Sequence, residues 1–175
     1  FVPLARELGA EKVVGVLNRL VSEFDALATT HGVEKIKTIG DAYMAASGLP
    51  VPLPDHLERL IQMALDMQRA LAAFRNETGI RLHMRIGIAS GPVMAGIIGC
   101  NKFSYDVWGD TVNLAARLES QSRPGRILVC PNCRQRLDGS FAFESMGRIE
   151  IKGIGEVEAW LVEEPVEDRA GAAVQ

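Results

Sequence analysis

The order in which two hydrophobic periodicities alternate constrains this chain most. Residues 8–30 place Leu8, Val13, Leu17, Leu20, Phe24 and Leu27 near one helical face, and His31-Gly32 ends the run. Residues 33–47 read as two strands around Gly40-Asp41, with glycine first in the turn as a type II′ hairpin prefers. Gly48 to Pro54 holds three prolines and is a loop. Asp55 is the expected cap of a second helix bearing Leu57, Leu60, Ile61, Ala64, Met67, Leu71 and Phe74, stopped by Asn76 to Gly79. At 81–88 the period switches to two: Leu82, Met84, Ile86 and Ile88 face one way, and Arg81, His83 and Arg85 the other.

Glycine-rich turns are expected at 87–99. Asp110 caps a third helix over 111–122, ended by Pro124-Gly125. A buried strand over 126–130, a small helix near 131–137 and a hairpin of 148–152 with 156–162 follow. This order predicts an α+β domain, an α/β layered one with helices on a mostly antiparallel sheet. The chain opens Phe1-Val2-Pro3, without methionine, and reads as a piece of a longer protein. A strand ahead of Phe1 would make the opening β-α-β-β-α-β, the ferredoxin-like order, with strand and helix additions behind it. The domain is expected to occupy 1–163, with 164–175 a flexible tail.

Composition excludes several classes. The 175 residues are 47% hydrophobic and 23% charged, which suits a packed core rather than disorder. The net charge is −3 and no basic run exists, so a nucleic-acid partner is not expected. No apolar run approaches the roughly 18 residues of a membrane helix. Three cysteines make no disulfide framework and suit a reducing compartment.

The chemistry-bearing residues each have a plain reading beside a functional one. Asp41 at the hairpin tip suits turn geometry, or could offer a carboxylate to a hard cation. Lys35 and Lys37 are expected on one strand face with Val33 and Ile39, either solvated or donating to a ligand. Asn113 and Arg117, one turn apart, are a surface pair or a clamp for phosphate near a helix start. Lys152 before Gly153 is solvated or a phosphate contact. Cys130-Pro131-Asn132-Cys133 is a lone CxxC without further ligands at zinc spacing, and is read as structural, with a redox or metal role as the minor alternative. His31, His56 and His83 form no triad. Met44, Met63, Met67, Met84 and Met94 are expected to fill core gaps.

Four stretches, in this order, resemble the catalytic domain of the class III nucleotidyl cyclases, the adenylyl and guanylyl cyclases: EKIKTIGDAYMAASGLP at 34–50, RIGIASGPVMAGIIG at 85–99, FSYDVWGDTVNLAARLES at 103–120 and IEIKGIGEVEAWLV at 149–162. The resemblance implies formation of a 3′,5′-cyclic nucleotide and pyrophosphate from a nucleoside triphosphate, at sites shared across a head-to-tail homodimer. It implies that Asp41 is one of two metal aspartates for Mg²⁺ or Mn²⁺ and that Lys37 and Asp106 select the purine. It further implies that Asn113 orients the ribose, Arg117 stabilises the transition state and Lys152 contacts the triphosphate.

Adenine offers a donor at C6 and an acceptor at N1, which matches Asp106 and Lys37. Guanine reverses both edges, so ATP is the expected substrate. The other metal aspartate is expected on the strand ahead of Phe1, in a segment resembling F-x-D-I-x-G-F-T, so the chain as given is expected to turn over poorly. Ile154 stands where many relatives have a second basic residue. The parent protein is expected to add a regulatory or membrane segment, with this domain in the cytoplasm, where ATP is. The alternatives are an inactive, nucleotide-binding regulatory half, or an interaction module of the same fold.

Overall fold

The computed structural model describes residues 9–163. The expected strand ahead of Phe1, Leu8 of the first helical stripe and the tail at 164–175 lie outside the described residues. The chain divides into two compact units, Phe1–His83 with Ala95–Asp106, and Met84–Met94 with Val107–Gln175.

In the first unit, helix α1 (Ala10–His31) buries Val13, Leu20, Phe24 and Ala28 along one stripe. It ends because Gly32 adopts φ 65°, a left-handed conformation open to glycine. The Gly32 N–H then donates to Thr29 O and the Val33 N–H to Ala28 O, satisfying carbonyls the helix leaves open, and Val33 tucks in as a buried contact. Strands β1 (Glu34–Ile39) and β2 (Ala42–Ala46) follow as an antiparallel pair. Helix α2 (His56–Thr78) packs on α1 and buries Leu57, Ile61, Met63, Ala64, Leu65, Met67, Leu71 and Phe74. Asp55 does sit at its N-cap, but its side chain makes no cap hydrogen bond and pairs instead with Arg59 at 2.8 Å. At the far end of the two helices Arg19 lies over the Phe74 ring, 5.1 Å from its centroid, and pairs with Glu77.

In the second unit, strand β3 (Ile86–Ile88) runs parallel to β6 (Ile127–Val129), which pairs antiparallel with β8 (Gly155–Val162), itself paired with β7 (Phe143–Ile151). The sheet order is β3-β6-β8-β7. A parallel pair needs a crossover element, and α3 (Asp110–Gln121) packs on both β3 and β6. The core here is Leu118, Ile127, Leu128, Val129, Leu137, Ile151 and Leu161, each at most 1% exposed. Each such side chain removed from water is worth about 1.5–3 kcal/mol. The short helix α4 (Pro131–Arg136) follows β6 directly.

Several expectations change. The alternation at 81–88 is present in burial, with Arg81, His83 and Arg85 exposed and Ile88 buried, yet only 86–88 pair as a strand. The stretch read as turns contains strand β4 (Met94–Ile98), which pairs with β5 (Ser104–Trp108). Met94, assigned to the core, is 72% exposed because it begins that hairpin. Asp110 is the first helical residue of α3 rather than its cap; Gly109 holds the cap position with φ 134°. A carboxylate in the first turn still suits the helix dipole.

Candidate functional site

The first unit holds three of the sequence-derived residues. Asp41 sits exposed at the β1–β2 turn, where positive φ falls on Gly40 (φ 62°) and not on Asp41, the sign pattern of a type II′ turn. The ladder below it is irregular. Lys35 pairs with Ala45 and Lys37 with Met44, so Ile36 is an extra residue, a β-bulge. Adjacent residues of β2 point to opposite faces, so their partners Lys35 and Lys37 do as well. The bulge thus overturns the expectation that the two lysines share a face.

Their partners differ accordingly. Lys35 Nζ donates to Asp25 Oδ2 of α1 at 2.7 Å and lies 5.5 Å from the Tyr43 ring centroid. Tyr43 OH donates to Asp25 Oδ1 at 2.8 Å. Burial alone would raise the Asp25 pKa, but the hydrogen bonds from Lys35 and Tyr43 outweigh it and hold the carboxyl below its ordinary range. Tyr43 is pushed up, first by burial and then by its bond to this anion. Lys37 Nζ instead donates to Asp106 Oδ2 of β5 at 2.5 Å. Asp106 is the better shielded of the two, its side chain 16% exposed against 39% for Lys37. A donor and an acceptor 69 residues apart are therefore placed side by side. Such a pair can read two neighbouring atoms of opposite polarity on a planar ligand.

Asp41 is a single carboxylate. Among the described residues no group of three or more His, Cys, Asp or Glu side chains is placed to hold an ion. These residues do not by themselves assemble the two-ion site that the resemblance implies.

The second unit holds the other three. Asn113 and Arg117 are exposed on the outer face of α3, while Leu118 on the inner face is fully buried. The helix lies very close to the sheet: a Cβ on Gly87 of β3 would come within 2.1 Å of Glu119 N and 2.4 Å of Ala115 O. Arg85 Nε donates to Glu119 Oε1 at 3.0 Å, and Thr111 Oγ1 donates to Pro92 O at 2.8 Å. These contacts fix the helix that presents Asn113 and Arg117. The residues found only in the structure (Gly87, Thr111, Asp25 and Tyr43) position others, and nothing in local spacing marks them. Lys152 is exposed in the β7–β8 turn, which the Ile154 N–H closes on Ile151 O at 2.9 Å. Ile154 itself is 46% exposed.

Comparison with known proteins finds that residues 1–164 match the family described as the adenylate and guanylate cyclase catalytic domain. An adenylate cyclase of Mycobacterium tuberculosis is 42% identical over 160 residues, covering 91% of this chain and 36% of that protein. The guanylate cyclase soluble subunit beta-2 of Rattus norvegicus is 38% identical over 153 residues, covering 86% of this chain and 22% of that protein. The chain thus spans about a third or less of these relatives. Among solved structures, the catalytic core of a rhodopsin-guanylyl cyclase with converted specificity, in complex with ATPalphaS, superposes with a TM-score of 0.88 at 37% identity, covering 94% of this chain and 90% of that one.

Proposed function

This chain belongs to the family of adenylate and guanylate cyclase catalytic domains, and we propose that within it the chain is an adenylyl cyclase domain, converting ATP to 3′,5′-cyclic AMP and pyrophosphate. The observation that carries this choice is the Lys37–Asp106 pair. On the adenine edge the C6 amine donates and the neighbouring N1 accepts. Asp106 accepts from the first and Lys37 donates to the second. Guanine presents a carbonyl to the carboxylate and an N–H to the ammonium, leaving two mismatches, and a mismatch of this kind is worth up to about 10⁴-fold in selectivity where the ligand shuts out water.

In the reaction the ribose 3′-oxygen attacks the α-phosphorus, and the bond to the pyrophosphate oxygen breaks. Asn113 orients the ribose. Arg117 donates to the phosphate oxygens as charge builds on them, where a positioned cation contributes most. Lys152 neutralises the triphosphate, and Asp41 supplies one carboxylate toward the divalent cation on which family members generally depend. The partner is a second copy of the chain, arranged head to tail with sites shared between protomers. The exposed apolar residues of the β4–β5 hairpin, Ile97 at 68%, Ile98 at 59% and Phe103 at 76%, support a protein partner for that surface. No helix among the described residues is long and apolar enough to cross a membrane.

The test is cyclic AMP and cyclic GMP formation from ATP and GTP with Mn²⁺, over a range of protein concentrations, for this chain and for the chain with its preceding segment. Cyclic AMP formation that rises faster than linearly with concentration is the expected result. Preference for GTP would overturn the base assignment. ATP binding without turnover in folded dimers of the longer chain would favour the regulatory half.

A further inference from the structure

The CxxC segment plays no part in the nucleotide chemistry, yet it is built unlike a pair of inert core cysteines. Cys130 follows β6 as the N-cap residue of α4 and Cys133 lies in α4; both are free and buried, at 2% and 0% exposure, with their sulfurs 3.5 Å apart. Both are tied to one carbonyl: the Cys130 N–H donates to Ile88 O at 3.4 Å, and Cys133 Sγ to the same oxygen at 3.7 Å. The helix α4 is held independently at both ends, by Asn132 Nδ2 donating to Ser90 O at 2.8 Å and Arg136 Nη1 to Ser90 Oγ at 3.2 Å. A disulfide needs its sulfurs at about 2.05 Å, so closing this gap asks for a movement of about 1.5 Å, within the reach of two side-chain rotations and a small shift of α4. Among the described residues no third ligand accompanies the pair, which leaves oxidation rather than metal binding as its chemistry.

We propose that Cys130 and Cys133 are a reversible dithiol–disulfide site that takes a low-molecular-weight disulfide as its oxidant. The Cys130 thiolate attacks one sulfur of the disulfide RS–SR, whose S–S bond breaks and releases RS⁻. The Cys133 thiol then gives its proton to solvent and attacks the Cys130 sulfur of the mixed disulfide, releasing the second RS⁻. Two protein thiols are oxidised and one RS–SR is reduced to two thiols, so the electrons balance. The two cysteines are suited to these different roles. The hydrogen bond from Cys133, assisted by backbone N–H groups and opposed by burial, holds Cys130 down to about 6, while Cys133 is pushed well above the ordinary thiol range by that same pairing and by burial. Burial keeps the pair reduced until α4 opens locally, and the oxidised form pins α4 to the end of β6.

The test uses the full chain carrying Cys100→Ser, so that only this pair remains. It is equilibrated in graded mixtures of reduced and oxidised glutathione from two starting states: reduced and folded, or oxidised while unfolded and then refolded. Free thiols are counted by alkylation in denaturant and mass spectrometry. The expected result is loss of both alkylation sites in one two-electron step, at the same ratio from either start, with no disulfide between chains and no glutathione retained. Cys130→Ser and Cys133→Ala should abolish that step. A pre-oxidised chain that returns to the dithiol even in the most oxidising mixture overturns the proposal, as does oxidation that yields only glutathione adducts or linked chains.

Discussion

Placing a single methyl group at Gly87 tests whether the β3–α3 contact holds the helix that carries Asn113 and Arg117. In Gly87→Ala the new Cβ would stand 2.1 Å from Glu119 N and 2.4 Å from Ala115 O, both backbone atoms of α3, where ordinary contact begins at 3.4 Å. Neither atom can rotate away, so the helix must retreat by about 1.3 Å, the gap between 2.1 and 3.4 Å. Overpacking of this kind costs about 1–3 kcal/mol, and a backbone-on-backbone clash belongs at the upper end. At about 2–4 °C per kcal/mol for a chain of this size, Tm should fall by roughly 6–12 °C. Arg117 lies between Ala115 and Glu119, so it moves with the helix, and an error of about 1 Å in a positioned group can lower turnover by about 100-fold. Gly15→Ala is the control. Gly15 lies inside α1 with open space around its Cβ position, and there alanine should add about 0.5–1 kcal/mol. Thermal unfolding and steady-state cyclase kinetics on both variants decide the matter. A Gly87→Ala protein with unchanged Tm and turnover would refute the close-contact argument.

The purine pair predicts that Lys37→Glu combined with Asp106→Cys moves the ATP-to-GTP ratio of kcat/KM toward GTP by about 100-fold or more, read from both products in one assay; unchanged ATP selectivity would sink the assignment. Arg117→Ala should lower kcat by about 10²–10³-fold with KM changed only a few-fold, and an effect confined to KM would place the arginine in ground-state binding. Mixing Asp41→Ala chains with Arg117→Ala chains should recover part of the activity through one intact shared site, and folded mixed dimers that stay silent would count against sharing. For Cys130 the folded thiol ionises below its unfolded value, so its contribution to stability is present above the unfolded thiol range and fades as pH falls through about 6. Denaturant unfolding across that range should show the advantage over Cys130→Ala shrinking toward acid.

Much of the fold was legible because its signals are local. The stripes of α1 and α2, their glycine stops and the alternation at 82–88 are spelled out within a few turns of chain. The β4–β5 hairpin was hidden because Gly96 and Gly99 interrupt a short run that pairs only with residues beyond a loop, and because its apolar side chains face outward, against the usual inside pattern. Asp110 was misplaced by one residue because its side-chain type suits a cap, whereas the backbone at Gly109 has φ 134° and so claims that position for glycine.

The lysines of β1 show where local reading must fail at a site. Strict alternation puts Lys35 and Lys37 on one face, and nothing between Val33 and Ile39 announces otherwise. The bulge exists because both strands meet demands from elsewhere: Tyr43 and Lys35 must reach Asp25 on α1, while Lys37 must reach Asp106 on β5. A regular ladder can satisfy one of these carboxylates but not both, since it would turn the two lysines the same way. The extra residue resolves that conflict by changing face between them. The family resemblance could therefore name Lys37 and Asp106 as a candidate pair, but only the register between β1 and β2 explains how Lys37 comes to face Asp106 rather than Asp25. Inserting one residue between Met44 and Ala45, opposite Ile36, should restore the regular ladder and turn the two lysines the same way, parting Lys37 from Asp106 or Lys35 from Asp25 with no chemical group of either pair removed.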